Sequence, residues 1–293
     1  MKDDEPTVGR RVVLRTAAFL GIAAASGLLA DGGTGTPGQP AGGGPGAAPG
    51  AAGPGGLRAG RPQAGVRTPY RLSPMTAEAP LRPPPARPAV RTRPILELPP
   101  EPGKAAAMAL TFDDGPDSRH TPAILDTLAR YGVRAVFLVC GGMAAENKDL
   151  LRRMTAEGHV IGNHTWSHPH IPTLSRPDLA AEIARTSELV EETVGQAPVW
   201  FRAPYGEWNR AAFEIGAELG MEPLAWTLDS LDWTDPGTTR IVSRVLQGAG
   251  PGAIVLNHDA GGDRDQTVRA VAAYLPQLLA RGYRMTLPPL PPR

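Results

Sequence analysis

The chain has 293 residues, a formal net charge of +1, 35 glycines, 33 prolines and one cysteine. A balance this close to neutrality excludes the basic footprint of a nucleic-acid-binding protein, and a single cysteine excludes an intramolecular disulfide framework.

In chain order, Arg10 and Arg11 precede an apolar stretch from Thr16 to Ala30. That is the pattern of an export signal, here with twin-arginine character. The uncharged run is shorter than the roughly 20 residues a membrane helix prefers, so residues 1–30 are expected to be an export signal or N-terminal anchor. Residues 31–103 are dominated by Gly, Pro and Ala, with arginines scattered from Arg58 to Arg93. This composition buries too little apolar surface to offset the entropy of ordering, which predicts a disordered linker. Its arginines are read first as solvated charge and second as contacts for anionic cell-wall polymers.

Residues 104–293 change character, and strand and helix patterns alternate. Met108 to Phe112 reads as a buried strand stopped by Gly115 and Pro116 just after Asp113 and Asp114. Thr121 as N-cap and Pro122 start a helix bearing Ile124, Leu125 and Leu128, which Gly132 ends. A strand from Val133 to Val139 leads to Cys140, read as a buried structural thiol. A helix from Glu146 to Glu157 and a strand from His159 to Ile161 bring the chain to the string HTWSH, 164–168. Leu179, Ile183, Val190 and Val194 then fall at helical spacing before Gly195. The strand from Val199 to Arg202 carries RAPYG, and helices over Asn209–Leu219 and Thr239–Leu246 flank a strand from Leu224 to Leu228 that carries DSLDW. A strand from Ala253 to Leu256 carries LNHD, and a helix over Gln266–Ala280 precedes a last strand at Tyr283 to Thr286. The alternation predicts a parallel α/β domain, and motifs that each follow a strand predict a (β/α) barrel with its site on the C-terminal face.

Asp114, His164 and His168 form a three-ligand N/O set, the composition of a catalytic zinc site with a position left open for water. Adjacent residues of an extended chain point to opposite sides, so Asp113 and Asp114 are not expected to ligate one ion symmetrically, and Asp113 is left for another task.

The segments TFDDGP (111–116), HTWSH (164–168), RAPYG (202–206), DSLDW (229–233) and LNHD (256–259), in this order, resemble the NodB-homology polysaccharide deacetylases, carbohydrate esterase family 4. The resemblance covers residues 104–293 and implies an incomplete or distorted (β/α) barrel of fewer than eight units. It assigns Asp113 as general base, Asp114 with His164 and His168 as metal ligands, Arg202 as the group orienting the base, and the Tyr205 N–H as an oxyanion donor. It assigns Asp232 as the residue tuning His258, His258 as general acid, and Trp233 and Leu256 as the acetyl pocket. The departure at Ala203, where relatives frequently carry proline, bears on loop stiffness more than on chemistry. Physical chemistry agrees with these roles: a planar guanidinium holds a carboxylate in one orientation, and a neighbouring carboxylate raises a histidine's pKa.

The other candidates are read more plainly. His120 and His159 are taken as hydrogen-bonded structural residues, and Asp259 as an orienting or capping group. Trp166 is assigned to the core and Trp208 to the substrate groove, while His170 is read first as a residue without a functional role and second as groove lining or an outer contact. The expected function is an exported hydrolase that uses zinc, or cobalt or nickel, to remove N-acetyl groups from N-acetylglucosamine units of peptidoglycan, chitin or chitooligosaccharide. The alternatives are an O-acetyl xylan esterase and a noncatalytic glycan-binding module.

Overall fold

The computed structural model describes residues 87–291; the export signal at 1–30 and the part of the linker before residue 87 lie outside them. The chain runs β1 (Ala107–Asp113), α1 (Thr121–Arg130), β2 (Val136–Val139), α2 (Gly141–Glu146), α3 (Lys148–Ala156), β3 (Val160–Asn163), α4 (Arg176–Val194) and β4 (Trp200–Phe201). It continues through α5 (Arg210–Glu218), β5 (Glu222–Pro223), β6 (Leu228–Asp229), α6 (Thr238–Gly248), β7 (Ile254–His258), α7 (Asp265–Ala280) and β8 (Arg284–Met285). Every strand pairing is parallel, in the order β5-β4-β3-β2-β1-β7-β6, with β8 added beside Ala107 and Met108 of β1. This is the expected incomplete barrel with flanking helices. Because all strands run the same way, the residues at their C-terminal ends gather at one end of the sheet.

β1 is buried along its whole length, as its nearly unbroken apolar sequence requires of a central parallel strand. Alternate residues serve two cores. Met108, Leu110 and Phe112 pack with Ile124, Leu125 and Leu128 of α1 and Val271, Leu275 and Leu278 of α7. Ala107 and Ala109 join Val136, Leu138, Trp200, Leu224 and Ile254 in a second cluster. Phe112 stacks on Phe137 at 5.1 Å between ring centroids. Full burial of each such side chain contributes about 1.5–3 kcal/mol, so the central strands hold β1 rigidly where its last residue is needed.

α4 begins at Ser175, whose Oγ accepts the Asp178 N–H and donates to the Asp178 carboxylate, and ends at Gly195 with φ 75°. Both boundaries match the residue types that favour them.

Three expectations are corrected. The helix expected over 146–157 starts at Lys148 as α3 and is preceded by an unexpected helix, α2, from which Asn147 divides it; the Asn147 Nδ2 donates to the carbonyls of Pro116 and Met143. The strand over 224–228 does not form: β5 ends at Pro223 and β6 starts at Leu228. The end of the expected linker is packed on the domain. Ile95 bridges Leu224, Glu97 bridges Ala253, and Leu98 is buried in the second cluster, because three large aliphatics interrupt the proline-rich composition there and two of them, Ile95 and Leu98, pack on the domain. In addition, the N-cap of α1 is His120; the Thr121 hydroxyl accepts the Asp117 N–H and donates to Asp259.

Candidate active site

Asp113 is the last residue of β1 and lies in register with His258, the last residue of β7. His164 follows β3 by one residue, Arg202 follows β4 by one, and Asp229 ends β6. Among the described residues, all six non-glycine residues with left-handed φ sit in the loops after these strands: Asp114, Thr165, His168, Tyr205, Leu231 and Asp235. Such backbone costs of order 1–3 kcal/mol per residue and persists only where its surroundings fix it.

The Asp114 Oδ1 lies 3.3 Å from His168 Nε2 and 3.6 Å from His164 Nε2, and it is buried without a hydrogen-bond partner. Bonds of about 2.0–2.2 Å in a tetrahedral site place ligand atoms roughly 3.3–3.5 Å apart, so the spacing fits a metal ion. His164 Nδ1 donates to the Arg202 carbonyl at 2.8 Å, which leaves Nε2 free for coordination. Burial pushes the His164 imidazole down to about 3, so it is neutral at physiological pH, as a ligand must be. A second His/Asp group, His120 with Asp263 and Asp265, is poorer: both carboxylates are exposed, and His120 Nε2 accepts the Arg264 N–H.

α4 supports the histidine loop. Glu182 accepts the backbone N–H groups of Trp166 and Ser167 and the Ser167 hydroxyl. Asn163 donates to the Ile183 carbonyl and Ser187 Oγ and accepts the Thr165 N–H. On the far side, Gly261 approaches so closely that a Cβ there would lie 2.5 Å from Asp114 Oδ2. Replacing His164 with Ala is expected to abolish stoichiometric metal binding, measured by elemental analysis of dialysed protein; a retained one-to-one metal content would contradict the ligand set.

Asp113 Oδ1 accepts from Arg202 Nη1 at 2.6 Å. Arg202 is fully buried, and its other donors go to Thr111 Oγ1, the Leu224 carbonyl and the Ala225 carbonyl. Burial pushes the Asp113 carboxyl up, while the guanidinium and nearby His258 pull it back down. Across the site, His258 Nδ1 donates to Asp232 Oδ1 at 2.7 Å, and the His258 N–H and Thr267 hydroxyl donate to Asp232 Oδ2. Burial alone would lower the imidazole pKa; the bond to Asp232 and the field of Asp232, Asp114 and Asp113 overcome it and raise the value to about 9. A carboxylate bound by a guanidinium, beside an imidazole bound by a carboxylate, is the arrangement of a base and an acid.

Asp113, Asp114, His164, His168 and His258 line a cleft of about 810 Å³ that also includes Tyr205, Trp233 and Leu256, with Tyr205 and Trp233 the exposed aromatics, while Arg202 and Asp232 are buried behind it. Trp208 is a correction: it does not line this cleft but stacks on Phe213 and meets Phe201 edge-on, since a loop tryptophan beside two phenylalanines gains more by packing. The cleft tryptophans besides Trp233 are Trp166, which also packs on the core beneath Arg185, and Trp226, which sequence reasoning missed. Asp229, the first residue of the DSLDW segment, also lines it, as do Met143 and Arg264, which no spacing in the sequence marks. His170 is exposed, stacks on Tyr205 at 4.2 Å and contacts Glu207. Asp259 is buried beneath Gly115 and bound to Thr121; burial and the Asp114 and Asp113 carboxylates push it up to about 7. His159 accepts the Ala135 N–H, and Cys140 is a buried free thiol at the rim of the cleft.

Residues 101–224 match the family model described as polysaccharide deacetylase. A chitooligosaccharide deacetylase of Rhizobium leguminosarum bv. trifolii is 40% identical over 187 residues, covering 60% of this chain and 87% of that protein. The crystal structure of the Bc1960 peptidoglycan N-acetylglucosamine deacetylase superposes with a TM-score of 0.62 at 35% identity, covering 65% of this chain and 88% of that one. BA3943 of Bacillus anthracis, a carbohydrate esterase family 4 pseudoenzyme, superposes with a TM-score of 0.61 at 27% identity, covering 67% of each chain.

Proposed function

We propose that this chain, which belongs to the polysaccharide deacetylase family of carbohydrate esterase family 4, removes N-acetyl groups from N-acetylglucosamine units of a glycan of the peptidoglycan or chitin type. A pseudoenzyme on the same fold means that architecture alone does not carry activity. The observation that carries it here is the pair of opposed partnerships flanking Asp114, His164 and His168: Asp113 held by Arg202, and His258 held by Asp232. A module that only bound glycan would need neither.

Asp114, His164 and His168 would hold zinc, which when bound supplies Lewis acidity and a lowered pKa for water. Asp113 takes the proton of the water that attacks the amide carbonyl. The Tyr205 N–H donates to the developing oxyanion, and His258 protonates the nitrogen as the C–N bond breaks, giving acetate and a free amine. Leu256 and Trp233 flank the acetyl methyl, and the exposed faces of Tyr205 and Trp233 offer stacking surface to sugar rings. Arg10, Arg11 and the apolar stretch to Ala30 support export, which would bring the enzyme to an extracellular polymer.

The pH dependence tests the acid. His258 holds its proton below its raised pKa of about 9 and loses it as pH rises through that value, so kcat/KM declines on the alkaline side. Asp232→Asn removes the anion that opposes burial, and the alkaline limb is expected to move to lower pH by about one to two units. An unmoved limb would show that His258 is not the acid. Comparing a chitooligosaccharide with acetylated xylan in the same assay separates amide from ester specificity; turnover of xylan alone would reassign the chain to the esterases.

A further inference from the structure

The carbonyls of Leu224 and Ala225 accept the Nε and Nη2 hydrogen bonds of Arg202, at 3.0 and 2.9 Å, and so set the plane of the guanidinium that holds Asp113. Yet both lie past the end of β5, in backbone that belongs to no strand. One side of this stretch is fixed by the sheet, through the Leu224 N–H to the Phe201 carbonyl. The other side is an open edge, since β5 is the last strand of the sheet order, and the segment ahead of β1 covers it. The Ile95 N–H donates to the Pro223 carbonyl at 2.8 Å, and the Ala225 N–H donates to the Ile95 carbonyl at 2.7 Å. The Arg91 guanidinium pairs with Glu222, a carboxylate only 4% exposed.

We propose that Arg91 and Ile95 are positioning residues for the reaction: they clamp residues 222–225 from the outer edge, and through the Leu224 and Ala225 carbonyls they fix Arg202 and hence Asp113. The inference rests on the base role proposed for Asp113. The segment that sequence composition assigns to a linker is thereby part of the catalytic apparatus, although it touches no substrate. Displacement of a reacting group by about 1 Å costs up to about a hundredfold in rate, so a partial loosening two hydrogen bonds away should cost less and should fall on kcat.

The test uses the full chain loaded with zinc. Ile95→Pro deletes the N–H that reaches Pro223, Arg91→Ala deletes the ion pair, and Leu151→Ala, in the core on α3, serves as a control for general destabilisation. With a chitooligosaccharide substrate, Ile95→Pro and Arg91→Ala are expected to lower kcat by about tenfold and about threefold, with KM and metal content unchanged within about twofold. The Arg202 Nε–H resonance, followed by NMR, should exchange with solvent at least about tenfold faster in Ile95→Pro than in the unsubstituted chain. Leu151→Ala should lower Tm while leaving kcat and this resonance alone. If Arg91→Ala and Ile95→Pro lower Tm but leave kcat and the Arg202 exchange rate unchanged, or if Leu151→Ala lowers kcat as much as they do, the proposal is overturned. An unsubstituted chain with no turnover would count against the proposed function, whereas the Arg202 exchange rates would still decide whether the clamp reaches Arg202.

Discussion

Asp113→Asn lowers deacetylation by at least about a hundredfold while the protein keeps its fold and its metal. The substitution is nearly isosteric, and the amide oxygen can still accept the Arg202 Nη1–H that now reaches Asp113 Oδ1 at 2.6 Å. What it removes is the ability to accept a proton. Asp114, His164 and His168 are untouched, so metal content measured on the same sample should equal that of the unsubstituted chain. Turnover near the unsubstituted level, with metal bound, would remove Asp113 from the mechanism and return the choice of base to the other carboxylates of the cleft.

Arg202→Ala has the largest expected effect on stability. It strips the charge partner from a carboxylate that is 2% exposed and leaves Thr111 Oγ1 and the carbonyls of Leu224 and Ala225 without their donor. Removing one partner of a buried ion pair costs about 3–5 kcal/mol. For a domain of this size that lowers Tm by roughly 6–20 °C. The sign of its pH dependence follows from burial, which already pushes Asp113 up. Without Arg202 the folded-state pKa rises further above the unfolded value, so the folded state binds more protons between the two values. The deficit therefore grows as pH rises from the ordinary carboxylate range and shrinks in acid. Arg202→Lys keeps the charge, but one ammonium cannot reach all four acceptors, so it should regain much of the stability and little of the activity. A thermal unfolding series from acid to neutral pH checks this; a deficit below about 1 kcal/mol at neutral pH would contradict the buried-pair account.

The site was legible because its chemistry is concentrated in short strings at strand ends. Asp113, Asp114, His164 and His258 each sit within a residue or two of an apolar run, with His168 one short loop beyond His164, and a parallel sheet brings such ends together whatever lies between them. What escaped depends on where a group's partner lies in space. Leu224 to Leu228 looks like a strand by apolarity, but the Leu224 and Ala225 carbonyls turn to Arg202 instead of extending the strand. Glu182 holds the histidine loop from α4, and nothing in its spacing from Trp166 and Ser167 announces that. Trp208 and Trp226 carry the same side chain in similar loops, and only the neighbours Phe201 and Phe213 decide that Trp208 packs inward while Trp226 lines the cleft. The segment around Ile95 was hidden by composition averaged over a long proline-rich stretch, although two aliphatic residues suffice to dock it.

The most direct test of the central claim is to count acetate and new primary amines together, using the zinc-loaded full chain on a chitooligosaccharide and on peptidoglycan, with chelator-treated and Asp113→Asn protein in parallel. The account predicts acetate and amine in equal amounts from at least one of these glycans, loss of both on chelation, recovery on adding zinc, and near-background release by Asp113→Asn. Metal-loaded, folded protein that releases neither product from either glycan would contradict it, as would release that chelation or Asp113→Asn leaves unchanged.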